Sequence, residues 1–321
     1  MRKFFPDYLV ITLKGIAMGA ADVVPGVSGG TIAFIAGIYQ ELLSSINKVD
    51  FSFFTTWKKN GFSTAWQQIN GSFLMSLLIG IGISILSLSK LITHLLKTHP
   101  LLVWAFFFGL VVASIVFVGK QISKWQSSSI LFLIIGAVIA YFITIAEPTE
   151  SPEGYFYIFL SGVLGIIAMI LPGVSGAFIL LLMGSYETVI GTINDFRNGL
   201  LSLNGELLWP AVTKLITFCL GALVGLKLFS KILTWMFDKH RNSTLALLTG
   251  FMIGSLNKIW PWKEIISTRI NSHGEMVPFV ERSILPNAFD GDPQYIGVVT
   301  LMLFGFLVIF ILEKAATKLS R

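Results

Sequence analysis

The sequence predicts an all-α polytopic membrane protein made of two inverted repeats, each a re-entrant broken-helix hairpin followed by three transmembrane helices. The first observation is composition: the 321 residues are 54% hydrophobic and only 12% charged, whereas ordinary soluble domains carry about 25% charged residues. The second observation is repetition, because Pro25-Gly-Val-Ser-Gly29 returns 147 residues later as Pro172-Gly-Val-Ser-Gly176. Both copies interrupt apolar stretches, which indicates an internal repeat.

The first repeat covers residues 1–148. Its opening apolar stretch, 8–21, is too short to cross about 30 Å of hydrocarbon at 1.5 Å per residue. The apolar pattern resumes after the break, so a re-entrant hairpin is expected over 8–46, where irregular backbone must be packed in protein or line a wet cavity. Residues 47–71 carry lysines and aromatic side chains and predict an interfacial segment. Three full-length spans are predicted at 72–91, 101–119 and 129–146.

The second repeat covers residues 149–321 and follows the same plan. A second re-entrant segment is predicted at 155–190. The repeat extends beyond the break, because Ser89-Lys-Leu-Ile-Thr93 matches Ser230-Lys-Ile-Leu-Thr234 at a spacing of 141. A polar insertion at 259–293 delays the last span. The three spans of this half are predicted at 210–233, 243–258 and 294–313.

Charge predicts the orientation. If each broken segment returns to its own side, each half crosses three times and the halves are inverted in the membrane. The side with both termini then carries twelve basic loop residues against six on the other side, and the positive-inside rule places the first side in the cytoplasm. A multi-pass protein of the cytoplasmic membrane with both termini inside is expected. The alternative, in which each broken segment crosses completely, changes the loop assignments.

The two breaks are the candidate binding site. A helix that begins at membrane depth leaves backbone N–H groups unpaired and carries partial positive charge, which attracts anions. Pro25 and Pro172 stop the incoming helices, glycines allow close backbone approach, and hydroxyls can cap or donate. The alternative is that the breaks only pack two hairpins tightly. The candidate residues are Gly26, Ser28, Gly29, Gly30 and Thr31 in the first copy, and Gly173, Ser175 and Gly176 in the second.

Charged residues inside apolar stretches are candidates for function. Asp22 precedes the first break, and its counterpart in the second copy is Met169. Asp22 is expected to act as a proton or cation switch, or else as a local cap or ion-pair partner. Lys14 lies eight residues earlier on about the same helical face. Lys227 lies within a span and is a candidate counter-charge for an anion, with snorkelling to the interface as the alternative.

Two matched tyrosines follow the short segments after the breaks. Tyr39 and Tyr186 come two residues after Gly37 and Gly184, respectively. We expect them to line the cavity between the two breaks, and the alternative is that they anchor the protein at the membrane interface.

Several function classes are disfavoured by the sequence. No phosphate-binding loop of an ATPase and no metal-ligand spacing occur, so no cofactor and no metal are expected, and transport would use a proton gradient, a sodium gradient or the substrate's own gradient. The basic residues form no stripe for nucleic acid, and the single cysteine, Cys219, excludes an intramolecular disulfide. No predicted span contains arginine, which argues against a membrane phosphatase. The oligomeric state stays open.

The run Lys14-Gly-Ile-Ala-Met-Gly-Ala-Ala-Asp-Val-Val-Pro-Gly-Val-Ser-Gly-Gly-Thr31, followed by Gly37-Ile-Tyr39, resembles the signature of the bacterial and archaeal polyprenyl-phosphate transporter family. The second copy fits the same signature. The resemblance implies a carrier, not an enzyme, that returns undecaprenyl phosphate from the outer to the inner face of the cytoplasmic membrane. The glycines and hydroxyls of both breaks would then bind the phosphate, with Lys227 or Lys14 as counter-charge. An ion-coupled transporter of small anions or other solutes is the competing interpretation.

Overall fold

The computed structural model describes residues 5–24, 27–149, 152, 154–270 and 276–319. The chain is predominantly helical. The first broken segment forms three helices in place of one continuous span, and two short helices follow it in the predicted interfacial segment. The helices of the first half are α1 (Phe5–Asp22), α2 (Gly29–Ile35), α3 (Tyr39–Lys48), α4 (Ser52–Asn60), α5 (Phe62–Gln68), α6 (Gly71–Thr98), α7 (Pro100–Gly119) and α8 (Ser127–Ile145).

The second half repeats the broken segment. The predicted spans 210–233 and 243–258 correspond to two helices that continue into each other across a kink at His240, whose backbone is non-helical (φ −136°, ψ 47°); we number them together as α12. The polar insertion contains an antiparallel β-hairpin, so the expectation of an all-α protein is wrong. The elements are α9 (Tyr155–Ile170), α10 (Gly176–Leu182), α11 (Tyr186–Ser202), α12 (Gly205–Ser255), β1 (Lys263–Ile270), β2 (Met276–Ser283) and α13 (Tyr295–Leu319).

Among the described residues, four helices are long and apolar enough to cross a membrane, namely α6, α7, α8 and α12. A fifth candidate is the bent pair α10 and α11, whose axes meet at 107°. Helix α9 and the described apolar part of α13 are shorter than a full span. The predicted multi-pass helical membrane protein is therefore confirmed at this level.

The first helix of each half packs in the same way on a long helix of its own half, as the duplication in the sequence predicts. Helix α1 packs along α6, and α9 packs along the part of α12 before His240. In the first pair a Cβ on Gly80 would overlap the Thr12 carbonyl oxygen, and in the second a Cβ on Gly221 would overlap the Phe159 carbonyl oxygen. Gly221 follows Gly80 by 141 residues and Phe159 follows Thr12 by 147. Helices without side chains at their crossing can approach to backbone contact, so the same crossing is built twice.

Two further pairs of long helices cross at matched glycines. In both pairs one helix comes from each half, so these crossings join the two halves. Helix α7 packs on α13, where Gly109 meets the Met302 carbonyl group. Helix α8 packs on the part of α12 after His240, where Gly250 meets the Leu133 carbonyl group. Gly250 follows Gly109 by 141 residues, but Met302 follows Leu133 by 169. The additional 28 residues (169 − 141) are accounted for by the insertion that holds the hairpin.

The β-hairpin is fastened to the helices by a mostly buried charge cluster. The Glu281 carboxylate accepts from the ammonium groups of Lys258 at 3.5 Å and Lys263 at 3.4 Å. Burial lowers the pKa of Lys263 to about 8, although Glu281 opposes this effect. Burial alone would raise the pKa of Glu281, but the two lysines outweigh it and the pKa is lowered. The Lys263 ammonium also lies 3.5 Å from the centroid of the Trp104 ring on α7, a cation–π contact.

Replacing Glu281 by glutamine should loosen the hairpin. The change leaves two lysines without their carboxylate, and breaking a buried pair costs about 3–5 kcal/mol. Hydrogen exchange of the β1 and β2 amides should therefore accelerate relative to that of the helices. Glu264→Gln is the control, because the Glu264–Arg282 pair is exposed and such pairs contribute at most about 1 kcal/mol. Equal protection in both variants would contradict this account.

The same cluster predicts the pH dependence of the hairpin. Glu281 has a lowered pKa in the folded state, so its stabilising effect is present above its ordinary pKa near 4.5 and is lost as the pH falls through the lower folded value. Lys263 acts in the alkaline range: the docked hairpin gains stability between pH 8 and 10.5, because the folded state has already released this proton. Protection factors of β1 and β2 should fall in acid and rise slightly above pH 8. A flat profile would contradict the assignment.

Candidate functional site

The two breaks have the same local construction. Each short helix has seven residues and begins with a serine N-cap, Ser28 before α2 and Ser175 before α10, whose hydroxyl accepts a backbone N–H. Each ends at a glycine in the left-handed region, Gly37 at φ +70° and Gly184 at φ +68°. A serine cap at one end and a left-handed glycine at the other explain why the matched sequences stop and restart at the same points.

The start of α2 is already capped by an acid of its own chain. Asp22 accepts a hydrogen bond from the Gly29 N–H at 2.6 Å, and the Ser28 hydroxyl accepts from the Gly30 N–H at 3.0 Å. The carboxylate therefore occupies the position at this helix end where an anionic ligand was predicted. Asp22 is a local cap in this structure, and its role as a switch stays a prediction. Pro25 and Gly26 lie outside the described residues.

Hydrogen bonds join the first break to the second. The Ser28 hydroxyl donates to the Met169 carbonyl at 2.9 Å, and the Thr31 hydroxyl accepts from the Gly173 N–H at 2.9 Å. A Cβ on Gly30 would overlap the Ile170 carbonyl oxygen, so glycine is required for this approach. We call this contact between the start of α2, the end of α9 and the second break the junction. Its polar side chains, Ser28 and Thr31, are completely buried.

The second break differs from the first in charge. No acid stands in the first turn of α10, and the counterpart of Asp22 is Met169, which is 39% exposed. Gly173 lies at φ +86°, where a side chain would be strained and would also meet Ser255 and Met252. Ser175 is buried and accepts from the Phe178 N–H at 3.4 Å, whereas Gly176 is partly exposed. Among the described residues, a carboxylate therefore caps the start of α2 but not the start of α10.

Lys14 caps the end of a helix. Its ammonium group donates to the Ala36 carbonyl at the C-terminal end of α2, at 2.6 Å, a favourable place for a cation. In the second repeat the equivalent position is Ser161, whose hydroxyl contacts the Ser185 hydroxyl at 2.7 Å after the end of α10. Both copies therefore use this position to tie the first helix to the turn that follows the short helix.

Lys227 lies apart from the junction. Its ammonium group donates to the carbonyls of Ile46 at 3.0 Å and Asn47 at 2.9 Å, at the C-terminal end of α3. Among the described residues the structure therefore does not bring Lys227 to the breaks. Its assignment as counter-charge to the ligand stays a prediction that would require a change of conformation.

The two matched tyrosines occupy different surroundings. Tyr39 is buried against Phe34 and Phe237, and its hydroxyl donates to the Ile170 carbonyl at 3.2 Å, beside the junction. Tyr186 lies beside the hairpin, where its ring centroid is 5.3 Å from Cζ of Arg269 on β1. Arg269 also pairs with Glu187, so the hairpin covers the start of α11.

A cavity of about 440 Å³ lies at the base of the hairpin. Its lining includes the aromatic residues Phe108 and Trp260 and the polar residues Asn257 and Ser283. None of the predicted site residues lines this cavity. We therefore keep the junction, where the matched motifs meet, as the candidate site.

Sequence reasoning missed two kinds of site residue. The carbonyl groups of Met169 and Ile170 receive hydrogen bonds at the junction, and their side chains carry no signal of that role. Asn47 bonds to α12 from the end of α3, and here a signal existed. Ile46-Asn47 returns as Ile193-Asn194 at the same spacing of 147 as the breaks.

Comparison with known proteins gives the family. The undecaprenyl phosphate translocase-like family matches residues 18–277. A polyprenyl-phosphate transporter of Vibrio cholerae serotype O1 is 45% identical over 316 residues, which cover 97% of this chain and 98% of the relative. A polyprenyl-phosphate transporter of Staphylococcus aureus is 32% identical over 262 residues, covering 78% of this chain and 85% of the relative. No solved structure matches the chain. The resemblance seen in the motifs is thus confirmed, and the chain belongs to the undecaprenyl phosphate translocase-like family.

Proposed function

We propose that this protein carries a polyprenyl phosphate, undecaprenyl phosphate in the first place, from the outer to the inner leaflet of the cytoplasmic membrane. The observation that carries the proposal is the buried polar junction between the two matched breaks, in a chain whose relatives are named polyprenyl-phosphate transporters. Returning the lipid makes it available again for the synthesis of cell-envelope polymers. The protein acts as a carrier and not as an enzyme.

The phosphate head needs a polar path because a charge is costly to place in hydrocarbon. We place it at the junction, where the first N–H groups of α10, the hydroxyls of Ser28, Thr31 and Ser175, and the glycine backbone replace water. The isoprenoid tail stays in the lipid. Asp22, at the end of α1, caps the start of α2, and its carboxylate repels the phosphate as long as the carboxylate is ionised. Binding of a proton or a sodium ion at Asp22 would therefore admit the phosphate head. This step is the proposed coupling, and no other cofactor takes part.

Alternating access is the proposed mechanism. We take each half to cross the membrane three times, so that the repeats are inverted, each break enters from its own side of the membrane and the two meet near the midplane. This is the architecture in which secondary transporters place their sites. Rocking of one half against the other exposes the junction to each leaflet in turn. The basic-residue bias supports an orientation with both termini in the cytoplasm.

Replacing both cap serines should abolish transport. Ser28→Ala with Ser175→Ala removes two helix caps, each contributing about 1 kcal/mol, and it removes the hydroxyl that joins Ser28 to Met169. Transport of labelled undecaprenyl phosphate in reconstituted vesicles should fall at least about tenfold, the effect of 1.4 kcal/mol. The matched control is Ser87→Ala with Ser202→Ala, two exposed helical serines. Normal transport by the Ser28/Ser175 variant at equal expression would contradict the site assignment.

A second candidate function uses the same helix ends for a small anion or another solute coupled to an ion. Inorganic phosphate distinguishes the two functions. If free phosphate competes with the lipid and is itself transported without a polyprenyl chain, the small-anion function is favoured. If only phosphates that carry a polyprenyl chain bind and move, the lipid function holds.

A further inference from the structure

Hydrogen bonds between polar side chains, which we call the clamp, join the C-terminal end of α3 in the first half to α12 in the second half. The Asn47 amide nitrogen donates to the Thr234 hydroxyl at 2.8 Å and to the Ser230 carbonyl at 3.2 Å, and the Ser230 hydroxyl donates to the Asn47 amide oxygen at 2.8 Å. Ser230 is completely buried. Because all three side chains are satisfied by one another, the clamp closes the gap between α3 and α12.

The three residue types that form this clamp occur twice in the sequence, at matched positions. Asn47 has its counterpart in Asn194, 147 residues later at the corresponding point of α11. The partners Ser230 and Thr234 belong to the motif that Ser89 to Thr93 repeats on α6, 141 residues earlier. The same three residue types therefore stand at the matched positions of α11 and α6. By repeat correspondence, Asn194 would meet Ser89 and Thr93 of the other half as Asn47 meets Ser230 and Thr234.

The helices that carry the second set are not packed on each other in the part of the chain that the structure describes. Helix α3 packs against α12, but among the described residues α11 makes no comparable contact with α6. Thr93 is exposed, whereas Thr234 is partly buried. Leu86, the counterpart of Lys227, is 81% exposed. The side chain of Ser89 lies outside the described part of the chain.

We propose that the two matched sets are alternating gates: the gate of Asn47, Ser230 and Thr234 is closed here, whereas α11, which carries Asn194, is not packed on α6, which carries Ser89 and Thr93, in the described part of the chain. The inference rests on the proposed transport function. Two gates of identical chemistry can exchange hydrogen bonds at nearly equal free energy, which gives the two-state element that alternating access requires. Only the protein's conformation decides which asparagine reaches its partners.

The closed gate has a reinforcement that the second set lacks. Lys227 donates to the carbonyls of Ile46 and Asn47, and Asp50 lies close by. The pKa of Asp50 is lowered, chiefly by hydrogen bonds from Ser52 and to a smaller extent by the positive charge of Lys227. The counterparts of Lys227 and Asp50 are Leu86 and Arg197. The lysine biases the empty protein towards closure at α3, which is the cytoplasmic side in the proposed orientation.

Disulfide trapping tests the gates. In a Cys219→Ser parent, which removes the single native cysteine, one variant carries Asn47→Cys with Thr234→Cys and another carries Asn194→Cys with Thr93→Cys. We expect copper-phenanthroline to cross-link both pairs in liposomes, the first more completely in the empty protein. Undecaprenyl phosphate in the vesicles should change the two yields in opposite directions. Either cross-link should stop transport, and reduction should restore it.

The outcomes separate the gates from the transport function. An Asn194/Thr93 pair that never cross-links while the parent transports, or two yields that change in the same direction, would overturn the gate assignment. A parent that moves no polyprenyl phosphate would instead overturn the proposed function, and the cross-linking yields would still decide whether the two sets exchange. Lys227→Leu provides a second readout: it should lower the Asn47/Thr234 yield and raise the other, and unchanged yields would contradict the assigned bias.

Discussion

Gly30→Ala should abolish transport of polyprenyl phosphate. The added methyl group would overlap the Ile170 carbonyl oxygen, which is backbone and cannot turn aside. The start of α2 must then move away from the end of α9, and the hydrogen bonds from Ser28 to Met169 and from Gly173 to Thr31 are lost together. Overpacking of this kind costs about 1–3 kcal/mol, and we expect at least about a tenfold loss of transport, the equivalent of 1.4 kcal/mol.

Gly82→Ala is the matched control for Gly30→Ala. Gly82 lies in α6, and a Cβ at this position would meet no other atom within 4 Å. Expression, melting temperature and transport of this variant should equal those of the wild type. If Gly30→Ala retains full transport with a normal melting temperature, the junction is not part of the transport path.

Asp22→Asn should separate the structural and coupling roles of the acid. An asparagine oxygen can still accept from the Gly29 N–H, so the cap of α2 is kept, but the group no longer ionises. We expect a nearly unchanged melting temperature together with a transport rate that no longer responds to proton or sodium gradients. Asp22→Ala should additionally lose the cap, at a cost of about 0.5–2 kcal/mol.

The control for Asp22→Asn is Asp7→Asn, which neutralises another acid of α1 in its first turn. Transport in proteoliposomes with imposed gradients, compared with thermal unfolding, provides the measurement. A gradient response equal to the wild type in Asp22→Asn would show that Asp22 is only a cap and that the coupling group lies elsewhere.

The sequence predicts much of this fold because its signals are local or repeated. Apolar length indicates the long helices, and the matched breaks indicate where α2 and α10 begin, but the pattern over 31–46 does not predict that α2 ends at Ile35 and that α3 follows it. The spacing of 141 even pairs Gly80 with Gly221 and Gly109 with Gly250 at equivalent helix crossings. Such predictions need only chain periodicity and the thickness of a membrane.

The rest depends on partners that are distant in the chain. The hairpin in the polar insertion has weak alternation and is docked through Glu281 and Trp104, which no local pattern announces. Lys227 caps α3 from another half of the molecule, more than 180 residues from Ile46. A lysine in an apolar stretch indicates that a partner exists, but it does not say whether that partner is a ligand or a helix end.

The measurement that tests the central claim most directly is the movement of labelled undecaprenyl phosphate between leaflets of liposomes that contain only the purified protein. The account predicts rapid, saturable movement by the wild type, and movement at the rate of protein-free liposomes for Gly30→Ala and for the Ser28→Ala/Ser175→Ala variant. Wild-type protein that is folded and inserted but moves the lipid no faster than empty liposomes would contradict it.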